Sequence, residues 1–318
     1  MKTISSEQKD LIDALVAEGL AANLPAAVLE KDVHVTDVLH ALSGLQHPHV
    51  RFVFCGGTSL SKAYGLIERM SEDIDLKVVL DPGHGLSKNG LRSHLSRLKE
   101  AVIETMTALD LAIVEEEKRA LNGNHYFASG WLYESRYAAH NSLRPHLSLE
   151  FTVRSPRFEV VQKPLGYLTD QLADRPGDPF EMACIAVEET LAEKVLSFLR
   201  RHAEHRAGLR EKWDSALVRH IYDTCCMVQS NPALTERAAL HFRDLVNFDR
   251  EEFGSHEAFT QDPKQCMTAA LTVAETEAQT HREYQDVLMP LIYGTFRPTF
   301  EEAFGAFRTT ASTLLATL

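Results

Sequence analysis

Asp73 and Asp75 stand two residues apart in the run Asp-Ile-Asp-Leu-Lys-Val-Val, residues 73–79 of a 318-residue chain. Residues two apart in a strand face the same side, so both carboxylates project together while Ile74 and Leu76 turn to a core. Paired carboxylates repel unless a cation neutralises them, and their hard oxygens suit magnesium. Fifteen residues separate Asp73 from Gly57, the second glycine of Phe52-Val-Phe-Cys-Gly-Gly-Thr-Ser. A glycine pair lets the backbone approach a ligand closely and leaves amides free to donate. Thr58, Ser59 and Ser61 then open a helical pattern through Leu60, Ala63, Tyr64 and Ile67, and amides at a helix start favour phosphate. A phosphate cradle beside a carboxylate pair equips a site for metal-dependent phosphoryl or nucleotidyl transfer.

The order strand, glycine turn, short helix, turn, strand must position these groups. Upstream, Ser5-Ser6-Glu7-Gln8 reads as a helix cap, and a second helix runs from Pro25 to about Leu45. Its Glu30-Lys31-Asp32 is expected on a solvated face, in helix ion pairs. Downstream come a helix over residues 91–109 and strands over 111–116, 125–137 and 146–154. In the last strand Leu147, Leu149, Phe151 and Val153 alternate inward, leaving Glu150 and Arg154 on the other face. Breakers at Pro164, Gly166, Pro176, Gly177 and Pro179 mark residues 157–180 as a linker, beyond which the chain is nearly all helix. Lys194 and Arg201 lie seven apart, two turns along one helix face. As plain helix charges they would be solvated, and Asp223 would pair with Arg219 one turn before it.

The order Gly56-Gly57-Thr-x-Leu60, then Arg69-x-Ser71-Glu-Asp73-Ile-Asp75-Leu76, resembles the AbiEii/AbiGii toxin family of nucleotidyltransferases. That family is a branch of the DNA polymerase β-like superfamily. Lys194-x6-Arg201 and Arg219-His-x-Tyr-Asp223 are similar to its later motifs, although here the chain continues Thr-Cys-Cys-Met after Asp223. The resemblance implies an α/β (α+β) fold. A polymerase β-like lobe with a small mixed sheet would span residues 1–165, and a helical lobe over 180–318 would complete the nucleotide cleft. It implies that Asp73, Asp75 and Glu150 hold magnesium, two ions roughly 3.5–4 Å apart, with Glu150 as the third carboxylate from a later strand. Gly56, Gly57, Thr58 and Ser59 would cradle the triphosphate. Lys62, Arg69, Ser71, Lys194 and Arg201 would also meet the nucleotide, and Lys194 and Asp223 would join the catalytic set. The substrate would be an NTP and the acceptor RNA, at the 3′ end of tRNA. The system would be a type IV toxin–antitoxin or abortive-infection pair with a cognate antitoxin. Two alternatives stay open: transfer to a small-molecule or protein hydroxyl, and a non-catalytic NTP-binding module.

Composition bounds these readings. Hydrophobic and charged fractions of 44% and 25% are those of an ordinary globular protein. No run reaches membrane-spanning length, and residues 1–8 lack the apolar segment of a signal peptide. Five cysteines without a Cys-x-x-Cys spacing point to a reducing cytoplasm. A net charge of −12 argues against indiscriminate nucleic-acid wrapping. Residues 200–220 reverse that sign, with six basic and three acidic side chains. Arg200, Arg201, Arg206, Arg210 and Lys212 are therefore expected to form a basic strip for RNA. His202 and His205 are expected on a polar face near the phosphates.

Overall fold

The apolar runs on either side of the glycine turn become neighbouring strands. In the computed structural model, which describes residues 1–140 and 143–318, β1 (Val50–Cys55) and β2 (Asp73–Leu80) pair antiparallel, with Cys55 opposite Asp75. Five more strands complete the sheet: β3 (Ala112–Leu121), β4 (Tyr126–Leu132), β5 (Leu147–Val153), β6 (Val161–Leu165) and β7 (Phe180–Cys184). Their order is β3-β4-β5-β2-β1-β7-β6. The sheet is mixed, because β5 runs parallel to β2 and β7 parallel to β1 while the other neighbours are antiparallel.

This sheet belongs to a unit formed by Met1–Gly65 and Met70–Ile185. Its helices are α1 (Ser6–Ala17), α2 (Ala26–Ser43), α3 (Gly56–Lys62), α4 (Lys88–Ala108) and α5 (Leu168–Leu172). Helix α1 opens on the capping box read from the sequence, Ser5 with Gln8. Val35, Val38, Leu39 and Leu42 of α2 and Leu95, Leu98, Val102 and Met106 of α4 cluster with Phe54, Ile74, Leu76, Leu149 and Phe151 of the sheet. Each such side chain contributes about 1.5–3 kcal/mol on burial. The alternation of β2 and β5 is fixed by that cluster, so Asp73, Asp75 and Glu150 fall on the opposite face.

Two expectations change. Residues 157–180 are not a linker: they supply β6, α5 and the approach to β7, and the first unit ends only at Ile185. Pro164 is tolerated because β6 is an edge strand, where a missing N–H breaks no ladder. Glu30-Lys31-Asp32 is not a solvated face either, since Glu30 is wholly buried and Lys31 is 2% exposed. Each charge has partners instead. Glu30 accepts from the Ser135 hydroxyl and, at 2.7 Å, from the Arg136 amide. Lys31 donates to Glu72 and, at 2.7 Å, to the Arg144 carbonyl. Asp32 accepts from Lys62 at 2.6 Å and from the Leu168 amide at 2.9 Å. Buried charges persist only when paired in this way.

The second unit joins Leu66–Arg69 to Ala186–Leu318. Its helices are α6 (Val187–Arg206), α7 (Val218–Ser230), α8 (Leu234–Glu252), α9 (Glu257–Gln261), α10 (Pro263–Thr276), α11 (Ala278–Glu283) and α12 (Phe300–Leu315). Phe198, Phe242, Phe304, Phe307 and Tyr284 fill its core. The short segment enters it through the Glu68 carbonyl, which accepts from the Tyr293 and Gly294 amides at 3.0 and 3.1 Å. Among the described residues no helix is long and apolar enough to cross a membrane.

Candidate active site

In the first unit the parallel pairing of β2 and β5 sets Asp75 directly beside Glu150 and Asp73 beside Ser148. Adjacent strands lie about 4.8 Å apart, so three carboxylates share one patch of one sheet face. Gly56 closes the patch. Its φ of +76° lies in the left-handed region, and a Cβ there would fall 2.0 Å from Asp75 Oδ2. Only glycine lets the start of α3 press against that carboxylate.

Two further side chains hold these acids. Arg144 Nη1 donates to Asp73 Oδ1 at 2.6 Å, and the Tyr126 hydroxyl donates to Glu150 Oε2 at 3.1 Å. Burial, reinforced by Glu150, pushes the Tyr126 hydroxyl above its ordinary pKa, so it remains a protonated donor. Neither Arg144 nor Tyr126 stands out in the sequence. Tyr126 had one available signal, its place on the strand beside β5, where it lies diagonal to Glu150.

The second unit carries a different cluster. Arg69 grips Asp223 with two bonds, Nε to Oδ1 at 2.7 Å and Nη2 to Oδ2 at 2.6 Å. Lys194 Nζ adds a contact to Asp223 Oδ2 at 2.7 Å. The carboxylate is entirely buried. Burial alone would raise its pKa, but Arg69 and Lys194 hold it well below the usual carboxylate range. Asp223 thus pairs with Arg69, 154 residues away, and Lys194. His220, one turn before it, is driven well below its ordinary pKa by burial and then by Lys194 and Arg201, which keeps it neutral.

A family model described as nucleotidyl transferase AbiEii toxin, type IV toxin–antitoxin system, matches residues 40–306. The chain belongs to the AbiEii family. It is therefore a nucleotidyltransferase toxin of a type IV toxin–antitoxin system, with an NTP substrate and a cognate antitoxin. Among solved structures it is similar to MenT4, a nucleotidyltransferase toxin from Mycobacterium tuberculosis H37Rv. That likeness has a TM-score of 0.54 at 18% identity, covering 95% of this chain and 88% of the other. At that identity it speaks for the fold. No curated protein sequence matches the chain.

Several groups expected at the nucleotide of this AbiEii protein have partners within the chain. The Thr58 hydroxyl is buried and 2.9 Å from the Ser71 hydroxyl, so these two fasten α3 to the segment before β2. Ser59 is buried beside the Cys184 thiol. Lys62 pairs with Asp32, Arg69 with Asp223, and Arg201 with Asp214.

The expected basic strip is likewise not a strip. Arg200 is 5% exposed, bonds Glu204 and Asp249, and lies 3.5 Å above the Phe253 ring. Arg210 pairs with Glu204 at 2.6 Å. Glu204 one turn along α6, Asp249 of α8 and Asp214 beyond the helix neutralise what looked like one-sided charge, leaving Arg206 and Lys212 exposed. His202 is fully buried, stacks on Phe198 and meets Glu277 at 2.9 Å, so it is a core histidine rather than a phosphate contact.

Proposed function

We propose that this AbiEii protein transfers a nucleotidyl group from an NTP to a hydroxyl at an RNA 3′ end, tRNA first, using magnesium held by Asp73, Asp75 and Glu150. The observation that carries the reading is the β2–β5 register, which puts Asp75 beside Glu150 with Asp73 two residues along the same face. Three carboxylates of this kind fit a hard divalent cation. Among the described residues no three acids, histidines or cysteines are gathered as a ready ligand cluster. Here Asp73 and Glu150 turn to Arg144 and Tyr126 instead.

When bound, the metal supplies neutralisation of phosphate charge and activation of the acceptor hydroxyl. The chain's own residues do the rest. Gly56 and Gly57 give the nucleotide's phosphates close access to the backbone of α3. Tyr126 orients Glu150. In the second unit Asp223, gripped by Arg69, holds the Lys194 ammonium in place, the group that the family resemblance assigns to the phosphates. In the reaction the acceptor oxygen bonds the α-phosphorus, the bond to the bridging oxygen breaks, and pyrophosphate leaves with that electron pair. The acceptor's proton passes to solvent.

The RNA acceptor rests on the family resemblance. The internal pairing of Arg200, Arg201 and Arg210 favours, as a second reading, a compact acceptor that meets few phosphates. One experiment serves both: purified protein with each α-labelled NTP, magnesium and total RNA, resolved on a gel at rising salt. Labelled tRNA that fades steeply with salt supports the first reading, and label outside RNA the second. Asp75→Asn should abolish transfer with folding intact. Turnover at the wild-type level in that variant would sink the metal assignment.

A further inference from the structure

The contact between Arg144 and Asp73 is built by two layers of different character. Lys31, 2% exposed, reaches from α2 to Glu72 and to the Arg144 carbonyl at 2.7 Å. Glu72 in turn accepts from the Arg144 amide at 3.2 and 3.3 Å. The buried Lys31 and the part-buried Glu72 therefore clamp both backbone polar groups of one residue. The side chain of that residue is the opposite case: it is 47% exposed and ends on Asp73, itself 26% exposed. Exposed pairs of this kind are weak, whereas the clamp that delivers it is anchored on a buried lysine, which is costly to leave unpaired.

We propose that Arg144 is a resident counter-cation of the carboxylate site, which a divalent metal must displace from Asp73 when it binds. This rests on the reading of Asp73 as a metal ligand. The clamp holds the arginine within reach, so the site is never left as bare carboxylates when empty. The weakness of the exposed contact makes exchange for a divalent ion easy, because two charges on one oxygen-seeking ion outbid a screened guanidinium. Arg144 is thus a positioning residue that sets metal affinity and stabilises the metal-free form.

The test is Mn2+ binding to the full chain without nucleotide, with free Mn2+ counted by its EPR signal. Arg144→Ala should bind Mn2+ about 1.4- to fivefold more tightly than wild type, the displaced contact converted to an affinity ratio. Arg136→Ala removes the same charge from the same β4–β5 connection, but its guanidinium Nε meets Thr3 at 3.0 Å. It should leave Mn2+ affinity unchanged. Equal or weaker Mn2+ binding by Arg144→Ala overturns the proposal and leaves the metal site standing. So does an equal shift in Arg136→Ala, which would make the effect general charge. Failure of wild type and both variants to bind Mn2+ overturns this proposal together with the metal reading.

Discussion

Replacing Asp223 by asparagine should unfold the helical unit more readily than any surface change could. The carboxylate is fully buried and receives two bonds from Arg69, itself 3% exposed, and one contact from Lys194. An amide keeps the shape but removes the charge, and its NH2 faces a donor wherever it is turned. Breaking a buried pair while leaving the partner charge behind costs about 3–5 kcal/mol, and here two cations are left. Because Asp223 titrates below the usual carboxylate range in the fold, its stabilisation is present in full at neutral pH and fades only as acid protonates it. The assay is urea unfolding at pH 7 in a Trp131→Phe background. Trp213 is then the sole tryptophan, and it lies in the same unit as Asp223. Adding Arg69→Met to Asp223→Asn should recover part of the loss, as a coupled pair requires. A loss under about 1 kcal/mol would refute the reasoning. An equal loss from Arg219→Ala would restore the pairing expected one turn earlier on α7.

Gly56→Ala should abolish transfer and lower stability. Its φ of +76° costs a non-glycine residue about 1–2 kcal/mol, and its Cβ would drive into Asp75; wild-type turnover in a labelled-NTP assay would contradict this. His34 is wholly buried with neither ring nitrogen bonded, and burial, then Lys2, lowers its pKa to about 4, with Asp37 opposing. The unfolded imidazole binds its proton near 6.5, so this stabilisation is complete above that pH. It is lost as pH falls toward 4, up to about 3 kcal/mol. His34→Leu should flatten that stretch of the stability-against-pH curve, and an unchanged slope would show that other groups produce it.

What the sequence disclosed and what it hid divide along one physical line. The acidic pair, the glycine turn and Glu150 were legible because each follows from a local rule. Strand alternation fixes facing, and glycine fixes a turn, whatever the rest of the chain does. Partners of charges obey no local rule. Arg69 meets Asp223 across 154 residues, Lys31 meets the Arg144 carbonyl across 113, and Glu30 meets the Arg136 amide across 106. Helical spacing alone therefore gave Asp223 to Arg219 and Glu30-Lys31-Asp32 to solvent. One signal was present for the second error: Val28, Val33, Val35 and Val38 do not share a single stripe of α2. A helix apolar on several sides is buried on several sides, and its charges must then be paired inside. Burial also separates acids that the sequence presents as equals. Asp223 is sealed under two cations, Arg69 and Lys194. Asp73, held by one exposed arginine, can exchange that partner for another cation, as the proposed metal site requires.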